Sequence, residues 1–272
     1  MNITRIWKVY FSPTGNTDRA VTYLAEALSE KLKCPIEKYD FTLPMSRETV
    51  PSFSAGDLVV FGTPVYAGKM PNKLLSFVQN SFKGNEAAAI PLVTFGNRSF
   101  DNGLAELTQV LDDDGFRIVS AAAVASQHAF SDSLAAGRPD KEDLKLLSEL
   151  AVKTVQRIES ESAFSLLSIP GDAEAAYYRP LGLDGQPAVF LKAKPKTDTT
   201  KCTDCGICAQ NCPMGSINPA KTSEVTGICI KCHACVNKCP EDAKYFDDPA
   251  FLSHKAMLEK NFQRRAETLI IV

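Results

Sequence analysis

Eight of the nine cysteines lie between positions 202 and 239, and this clustering constrains the fold more than any other feature of the chain. The motif C-x2-C-x2-C-x3-C-P occurs twice, as CTDCGICAQNCP and as CIKCHACVNKCP, with a shift of 27 residues. Each copy ends in a proline, Pro213 or Pro240, which stops the segment from continuing as a helix. Cysteines this close together would compete with one another as disulfide partners, so the pattern favours metal ligation.

Two kinds of metal centre accept four thiolates, and the spacing of the cysteines distinguishes between them. A structural zinc site typically joins two C-x2-C pairs into a closed tetrahedron. A third cysteine at the same spacing has no role in such a site, although thiolate sites admit both metals. The repeat therefore favours iron–sulfur clusters over zinc.

Residues 197–247 resemble bacterial two-cluster ferredoxins through this doubled motif. The resemblance implies two 4Fe-4S clusters, each held by three cysteines of one motif and the fourth cysteine of the other. Neither site is then complete until both halves of the repeat fold together. The implied ligands are Cys202, Cys205, Cys208 and Cys239 for cluster 1, and Cys229, Cys232, Cys235 and Cys212 for cluster 2.

The first 160 residues have a different sequence pattern, in which strand-like runs and amphipathic helices alternate five times. The run DLVVFGTP is continuously apolar, as in a parallel strand that is buried on both faces. Asp101 and Asp140 stand where they can cap the following helices. The pattern predicts an α/β fold with a doubly wound, five-stranded parallel sheet. The predicted strands are ITRIWKVYF, PIEKYD, DLVVFGTP, AAAIPLVTFG and FRIVSAAAVAS.

Ligands of such sheets bind in loops at the carboxyl ends of the strands. The loop after the first strand is SPTGNT, which offers the hydroxyls of Ser12, Thr14 and Thr17. Gly15 allows a close backbone approach, and the next helix directs its positive end at an anion. The loop contains no lysine or arginine, so it suits a phosphate monoester held by neutral donors. The alternative is an ordinary capped turn between a strand and a helix.

Two further loops lie at the same predicted edge. GTPVYAGKMP follows the third strand and contains Tyr66, and TFGNRSFDN follows the fourth strand. Tyr66 either stacks on a flat ring or is an exposed residue of a Pro/Gly turn. The sequence has no GxGxxG motif, so no built-in NAD(P) domain is indicated.

Residues 1–160 resemble flavodoxin, with SPTGNT matching its phosphate fingerprint. The resemblance implies FMN, with the phosphate in the first loop and the isoalloxazine between the second and third loops. Tyr66 and Phe100 are the implied ring-stacking residues. Arg98 departs from the acidic surroundings of many flavodoxins: facing inward it would favour the anionic reduced flavin, and the alternative is that it faces solvent. The implied FMN-binding residues are Ser12, Thr14, Gly15, Asn16, Thr17, Thr63, Pro64, Val65, Tyr66, Gly68, Phe95, Gly96, Asn97, Phe100 and Asp101.

The segment QHAFSDSLAAGRPD follows the fifth strand and contains His128 and Arg138. His128 could donate a proton to a substrate while Arg138 holds an anion; the favoured interpretation is that both make ordinary loop and helix-start contacts. The segment, together with GNR in the third loop, resembles a subgroup of flavodoxin–ferredoxin fusions from anaerobes. No catalytic residue is predicted more firmly than these two.

The remaining chain is interpreted as connections. Residues 161–196 contain several prolines and little periodicity, which predicts a linker, and Tyr177, Tyr178 and Phe190 indicate that it packs on a domain. Residues 248–272 predict a helix packed on the ferredoxin-like part, followed by a tail, TLIIV, that adds a strand to a sheet edge or simply docks.

Together these features predict an iron–sulfur flavoprotein that transfers electrons between FMN and two 4Fe-4S clusters. The alternatives are an enzyme that reduces a small substrate at the flavin, and a carrier that docks to other redox enzymes. The expected partner is a redox protein, and homo-oligomers are compatible with the sequence. A net charge of -2 gives no reason to expect nucleic acid. No apolar run reaches the ~18 residues of a membrane span, and no signal peptide is recognised at the start, so a cytoplasmic location is expected.

Overall fold

The computed structural model describes residues 1–160 and 165–272, so the first four residues of the predicted linker lie outside the described residues. The strands are β1 (Arg5–Tyr10), β2 (Ile36–Asp40), β3 (Asp57–Pro64), β4 (Ala88–Phe95), β5 (Arg117–Ile118), β6 (Ala121–Ala125), β7 (Lys196–Thr197), β8 (Lys244–Tyr245) and β9 (Leu269–Ile271). The helices are α1 (Asn16–Leu32), α2 (Asn72–Ser81), α3 (Gly103–Asp113), α4 (Lys141–Ser160), α5 (Ile207–Gln210), α6 (Ala234–Asn237) and α7 (Pro249–Asn261), with a 3-10 turn at Pro44–Arg47.

The main sheet has the strand order β2-β1-β3-β4-β6, and these five strands run parallel. The predicted doubly wound parallel sheet is therefore confirmed. Since β2 lies on one side of β1 and β3 on the other, the loops after β1 and β3 leave towards opposite faces and open a crevice between them.

The predicted fifth strand is split into β5 and β6, and the split has a local cause. β5 pairs with Ala88 and Ala89 of β4, whereas β6 pairs with β4 only from Leu92 onward. The gap lies opposite Ile90 and Pro91. Proline has no amide hydrogen to give to a neighbouring strand, so the ladder is interrupted there.

The sheet is covered on both faces by helices. One hydrophobic cluster joins the sheet to α2 and α3 through Leu74, Leu104 and Leu107. The other joins it to α1 and α4, for example through Leu24 and Leu147. The continuous apolar strands of the sequence are explained by this double burial.

The two predicted helix caps have different outcomes. The carboxylate of Asp140 accepts hydrogen bonds from the amides of Glu142 at 3.0 Å and Asp143 at 3.3 Å, so it caps α4 as predicted. Asp101 does not cap α3, because Asn102 occupies the position before the helix and Asp101 pairs with Arg98 instead. That prediction was wrong, since the ion pair competes for the carboxylate.

A small separate domain, which we call the cysteine-rich domain, spans residues 196–245. β7 and β8 pair antiparallel, and each half of the repeat contributes one short helix, α5 or α6. The residues before these helices, Gly206 and His233, are equivalent in the repeat and both have positive φ, 79° and 61°. The sequence repeat is thus also a repeat of backbone conformation.

Both ends of the cysteine-rich domain are attached to the α/β part. On the linker side, Lys69 Nζ donates to the carbonyls of Ala173 at 2.8 Å and Ala175 at 2.9 Å, and the amide of Tyr178 donates to the carbonyl of Ala67. The linker therefore packs on the loop after β3, as its aromatic residues indicated.

On the other side, the tail returns to the sheet. β9 pairs antiparallel with β6, with Ala122 opposite Ile270, and so extends the edge of the parallel sheet. The Asn97 side chain donates to the carbonyls of Phe262 at 2.6 Å and Arg264 at 2.7 Å. Of the two possibilities for TLIIV, the structure has the strand edge. Within the described ranges, none of the helices has the length and apolar character needed to cross a membrane.

The carboxylate of Asp143 anchors the returning tail. It is buried, pairs with Arg138 and accepts a hydrogen bond of 2.7 Å from Thr268 Oγ1. Burial by itself would raise the pKa of Asp143, but the hydrogen bonds from Arg138 and Thr268 and the arginine charge hold it below its ordinary value. The anchor therefore depends on the ionised carboxylate.

Replacing Asp143 should detach this anchor. We expect Asp143→Asn to lower the free energy of unfolding by about 3–5 kcal/mol, because it leaves the buried Arg138 unpaired. A carboxyl whose pKa is lowered by folding stabilises above its unfolded value of about 3.9 and loses that contribution as the pH falls below it. Denaturant titrations at pH 7 and pH 3 should thus show a smaller pH dependence in this variant. The exposed Asp112→Asn is the control, and equal effects of the two substitutions would contradict the anchor.

Candidate functional site

A cavity of about 480 Å³ lies at the carboxyl edge of the sheet. Its size falls within the roughly 300–1,000 Å³ of small-molecule and cofactor sites. Its walls come from the loops after four strands, from the linker, from the cysteine-rich domain and from α7. Of the predicted FMN-binding residues, the cavity is lined by Thr14, Asn16, Thr17, Pro64, Val65, Tyr66, Gly68, Phe95 and Gly96.

The first loop is built to expose amides and hydroxyls. Gly15 has φ of 92° and nothing near the place of a side chain, so the turn into α1 is open. The first amides of a helix have no partner within the helix and remain available to an anion. Ser12 does not line the cavity, because its Oγ accepts a hydrogen bond from the amide of Asp18. The turn at Gly15 is therefore open, and Ser12 supports the start of α1.

The loop after β3 is a tight turn that fixes Tyr66. The amides and carbonyls of Tyr66 and Lys69 bond to each other, and Ala67 and Gly68 both have positive φ, 50° and 81°. Burial raises the pKa of Tyr66 well above its ordinary value, and the charges of Cys232 and Cys229 raise it further. Tyr66 thus lies at the boundary between the cavity and the second cysteine motif.

Three of the predicted FMN-binding residues in the loop after β4, Asn97, Phe100 and Asp101, do not line the cavity. Phe100 packs edge-on against Phe95, at 5.5 Å between ring centroids, and joins the hydrophobic core instead of the cavity wall. The Asn97 side chain is engaged with the tail. Gly96 does line the cavity, and its lack of a side chain admits the ring of His128. Phe100 is therefore not placed to stack on a ring in the cavity.

Arg98 faces the cavity, so the inward alternative holds. It pairs with Asp101, and its guanidinium lies over the ring of Tyr178 at 3.9 Å from the centroid. Tyr178 also lines the cavity. It belongs to the linker, and the sequence predicted only that it packs on a domain. The signal was the Tyr177-Tyr178 pair, but nothing local in the sequence tied it to this edge of the sheet.

Two histidines border the cavity in different tautomeric states. Nδ1 of His128 accepts a hydrogen bond of 3.1 Å from the amide of Phe130, so the proton of the neutral ring is on Nε2. Nδ1 of His254 lies 2.8 Å from the carbonyl of Leu181, which can only accept, so its proton is on Nδ1. The cavity wall therefore combines a neutral donor with a neutral acceptor. Sequence reasoning missed His254 because it lies 126 residues away, on α7.

Arg138 is not placed to hold a substrate anion. It is buried, pairs with Asp143 and donates to the carbonyl of Ala266 at 2.6 Å. Its donors are thus engaged in attaching the tail. The favoured interpretation, an ordinary structural contact at the start of α4, accounts for this residue.

The eight cysteines line two separate small cavities, four around each. We call Cys202, Cys205, Cys208 and Cys239 the outer set, and Cys212, Cys229, Cys232 and Cys235 the inner set. These are the two groups that the ferredoxin resemblance implies, including the exchange of the fourth cysteine. The amides of Ser216 and Ala243 donate at 3.3 Å to the sulfurs of Cys212 and Cys239, again at equivalent positions.

Each group of four thiols surrounds one small cavity. In a cubic cluster each cysteine sulfur binds a different iron, so four thiols around one cavity fit such a cluster. Burial raises the pKa of Cys235 to about 12, so cluster binding must displace its proton.

Cys229 connects the two kinds of cavity. It borders the inner cysteine cavity and also the large cavity at the sheet edge, together with its neighbours Ile228 and Ile230. Cys205, in the outer set, is exposed. A cluster in the inner set would therefore adjoin whatever occupies the large cavity.

Two family models match the chain. One, described as a flavodoxin domain, matches residues 9–103, and the other, described as a 4Fe-4S dicluster domain, matches residues 194–240. No curated protein matches the chain.

Solved structures resemble the first part of the chain. A flavodoxin from Streptococcus pneumoniae TIGR4 has a TM-score of 0.41 and 18% identity, covering 57% of this chain and 99% of its own. Flavodoxin 2 from Bacillus cereus has a TM-score of 0.42 and 13% identity over 57% and 99%. Rubredoxin oxygen:oxidoreductase from Desulfovibrio gigas has a TM-score of 0.39 and 14% identity over 58% and 37%. Because these values are low, the domain assignment rests on the family models and the sheet.

The buried cavity wall should make stability depend on pH through His128. Burial, followed by the charges of His254 and Arg98, lowers the pKa of His128 to about 4. The unfolded chain, with a pKa of about 6.5, binds a proton that the folded chain excludes, so stability falls as the pH drops from 6.5 towards 4. We expect His128→Asn to reduce this slope in denaturant titrations, whereas the exposed Ser133→Ala should preserve it. An unchanged slope in His128→Asn would contradict the assignment.

Proposed function

We propose that this chain, in which a flavodoxin domain is followed by a 4Fe-4S dicluster domain, transfers electrons between FMN and two 4Fe-4S clusters. The observation that carries the proposal is the position of Cys229, which borders both the large cavity and the inner cysteine cavity. When bound, FMN exchanges one or two electrons and each cluster exchanges one, so the protein would couple two-electron and one-electron redox partners.

The residues around the large cavity fit FMN. Thr14, Asn16 and Thr17 would bind the phosphate with hydroxyl, amide and helix N-terminal groups, without any cation in the loop. Tyr66 from the second loop and Tyr178 from the linker supply the aromatic surface that sequence reasoning assigned to Tyr66 and Phe100. The polar ring edge would meet the backbone near Pro64 and Gly96, as the flavodoxin resemblance implies.

Charge on the cavity wall is compatible with an anionic cofactor. Arg98 lines the cavity while paired with Asp101, and Lys231 lines it beside Cys229. The guanidinium and the ammonium would each stabilise negative charge on the bound group, because opposite charges at short range favour the ionised form. His128 is neutral at pH 7 and would add a hydrogen-bond donor without adding charge.

The positions of the inner and outer sets suggest the order in which electrons would pass through the two clusters. The inner set adjoins the cavity, while the outer set includes the exposed Cys205 and is proposed to face the external partner, a redox protein. Electrons would pass between the cavity and the partner through both sets. A cytoplasmic location remains part of this proposal.

A second function is supported by a separate observation. His128 and His254 both line the cavity, and their second ring nitrogens are a donor and an acceptor, the pair of groups that a small polar substrate beside a flavin would require. Reoxidation of the anaerobically reduced protein by a small organic acceptor, lost in His128→Asn, would favour such an enzyme. Oxidation by redox proteins alone would favour electron transfer.

The phosphate loop can be tested with two matched glycines. Gly15 and Gly185 both have positive φ, 92° and 73°, and neither has a neighbour near the position of a side chain. Each substitution by alanine should cost about 1–2 kcal/mol of stability, because L residues are strained in this conformation. Only Gly15→Ala should weaken FMN binding, by at least about tenfold in a fluorescence titration, since it displaces the loop amides. Equal affinity in both variants would remove the loop from the site.

The order of transfer can be tested with one cysteine from each set. Anaerobic stopped-flow measurements would follow cluster absorbance after the flavin is reduced by light. We expect Cys229→Ser to slow reduction of the outer cluster, because the inner set adjoins the cavity. Cys202→Ser should leave reduction of the inner cluster intact and slow delivery to an external one-electron acceptor. Identical behaviour of the two variants, or brown protein without extractable FMN, would contradict the proposal.

A further inference from the structure

The repeat makes the two cysteine sites nearly equivalent, so the positions where they differ are informative. A shift of 27 residues carries most residues that line the outer cavity onto residues that line the inner cavity. At one such pair, the outer cavity is lined by Lys244 and the inner cavity by Ile217. One site thus contains an ammonium group where the other contains a hydrocarbon.

Lys244 is an unusual lysine because it is buried, with 3% of its surface exposed. Its Nζ donates to Thr197 Oγ1 at 2.7 Å and to the carbonyl of Thr222. Within residues 1–160 and 165–272, no carboxylate forms an ion pair with it. A buried charge without a countercharge is costly, and such charges are usually paired or placed beside a metal centre.

The missing countercharge is available at the outer set. Four thiolates more than offset the positive charge of a 4Fe-4S core, so an occupied outer site is anionic. Lys244 lines the small cavity of the outer set, whereas the residues around the inner cavity do not include it. Lys244 therefore belongs to the outer site.

Other charges near the two sites are more exposed. Asp204, in the outer motif, is exposed and accepts a hydrogen bond from Thr222 Oγ1 at 2.6 Å. Its equivalent, Lys231, is half-buried, and its amide donates to the sulfur of Cys229 at 3.4 Å. Water screens exposed charges strongly and buried charges weakly. Glu241 also lines the outer cavity, and it is exposed. The buried ammonium of Lys244 should therefore act on the outer site more strongly than Asp204 and Glu241 do.

We propose that Lys244 raises the reduction potential of the 4Fe-4S cluster held by the outer cysteine set. Reduction adds one negative charge to the cluster, and a buried ammonium stabilises that charge more than it stabilises the oxidised state. The lysine thereby makes the outer cluster a better acceptor than an apolar residue such as Ile217 would. The proposal rests on the proposed function only in that clusters occupy both sets.

The test compares two lysines of the same small sheet. Lys244 is buried on β8, whereas Lys196 is exposed on β7 and pairs with Asp247. Redox titrations followed by electron paramagnetic resonance would be run on the holoprotein, with each cluster assigned through Cys205→Ser or Cys232→Ser. At a fixed ambient potential, Lys244→Met should change the ratio of reduced to oxidised outer cluster by at least tenfold towards oxidised, which is about 59 mV for one electron. Lys196→Met should change it much less.

Two more variants keep the test decisive if Lys244→Met assembles its clusters poorly. Lys244→Arg keeps the charge and should keep the outer potential close to that of the parent protein. Ile217→Lys places an ammonium at the equivalent position and should raise the potential of the inner cluster.

An unchanged outer potential in Lys244→Met, an equal shift of both clusters, or an equal effect of Lys196→Met would overturn the proposal. These outcomes leave transfer from flavin to the clusters intact, so they are distinct from failure of the proposed function, which would appear as loss of that transfer in the parent protein.

Discussion

The pairing of β9 with β6 is the interaction on which the site as a whole depends. It returns the chain to the sheet after the cysteine-rich domain. The buried ion pair of Arg138 and Asp143 holds the tail through hydrogen bonds to Ala266 and Thr268. The linker holds the other end through Lys69. Because both ends are attached, the cysteine-rich domain is kept over the carboxyl edge of the sheet. Without these attachments Cys229 would not border the cavity.

Several polar residues near the cavity make structural contacts instead of facing the cavity. Asn97 binds the tail, Arg138 binds Asp143, and Ser12 accepts a hydrogen bond from the amide of Asp18 in α1. What remains at the wall is largely neutral or aromatic, with Arg98, Lys231 and the exposed Lys73 as its cations. A cavity of this kind binds a flat, anionic cofactor through shape and backbone amides, and charge contributes at its rim.

The doubled motif imposes a near-symmetry that the rest of the chain breaks. The inner set lies against the α/β part and adjoins the large cavity, whereas the outer set lies nearer solvent. The inner site is lined by Ile217 and His233, the outer site by Lys244 and Gly206. Two chemically identical clusters placed in these sites would experience different charge and burial, which are the main determinants of reduction potential.

The sequence by itself determined the class of sheet, because it depends on periodic burial, and local spacing predicted the grouping of the cysteines around two cavities. The phosphate loop is a prediction of the same local kind. The sequence also located His128 and Tyr66 at the correct edge. Only the tertiary structure decided that Phe100 joins the core, that Asp101 pairs with Arg98, and that Tyr178, His254 and Cys229 reach the cavity. These outcomes depend on how the linker, α7 and the cysteine-rich domain pack on the sheet, and such long-range contacts have no signature in the spacing of neighbouring residues.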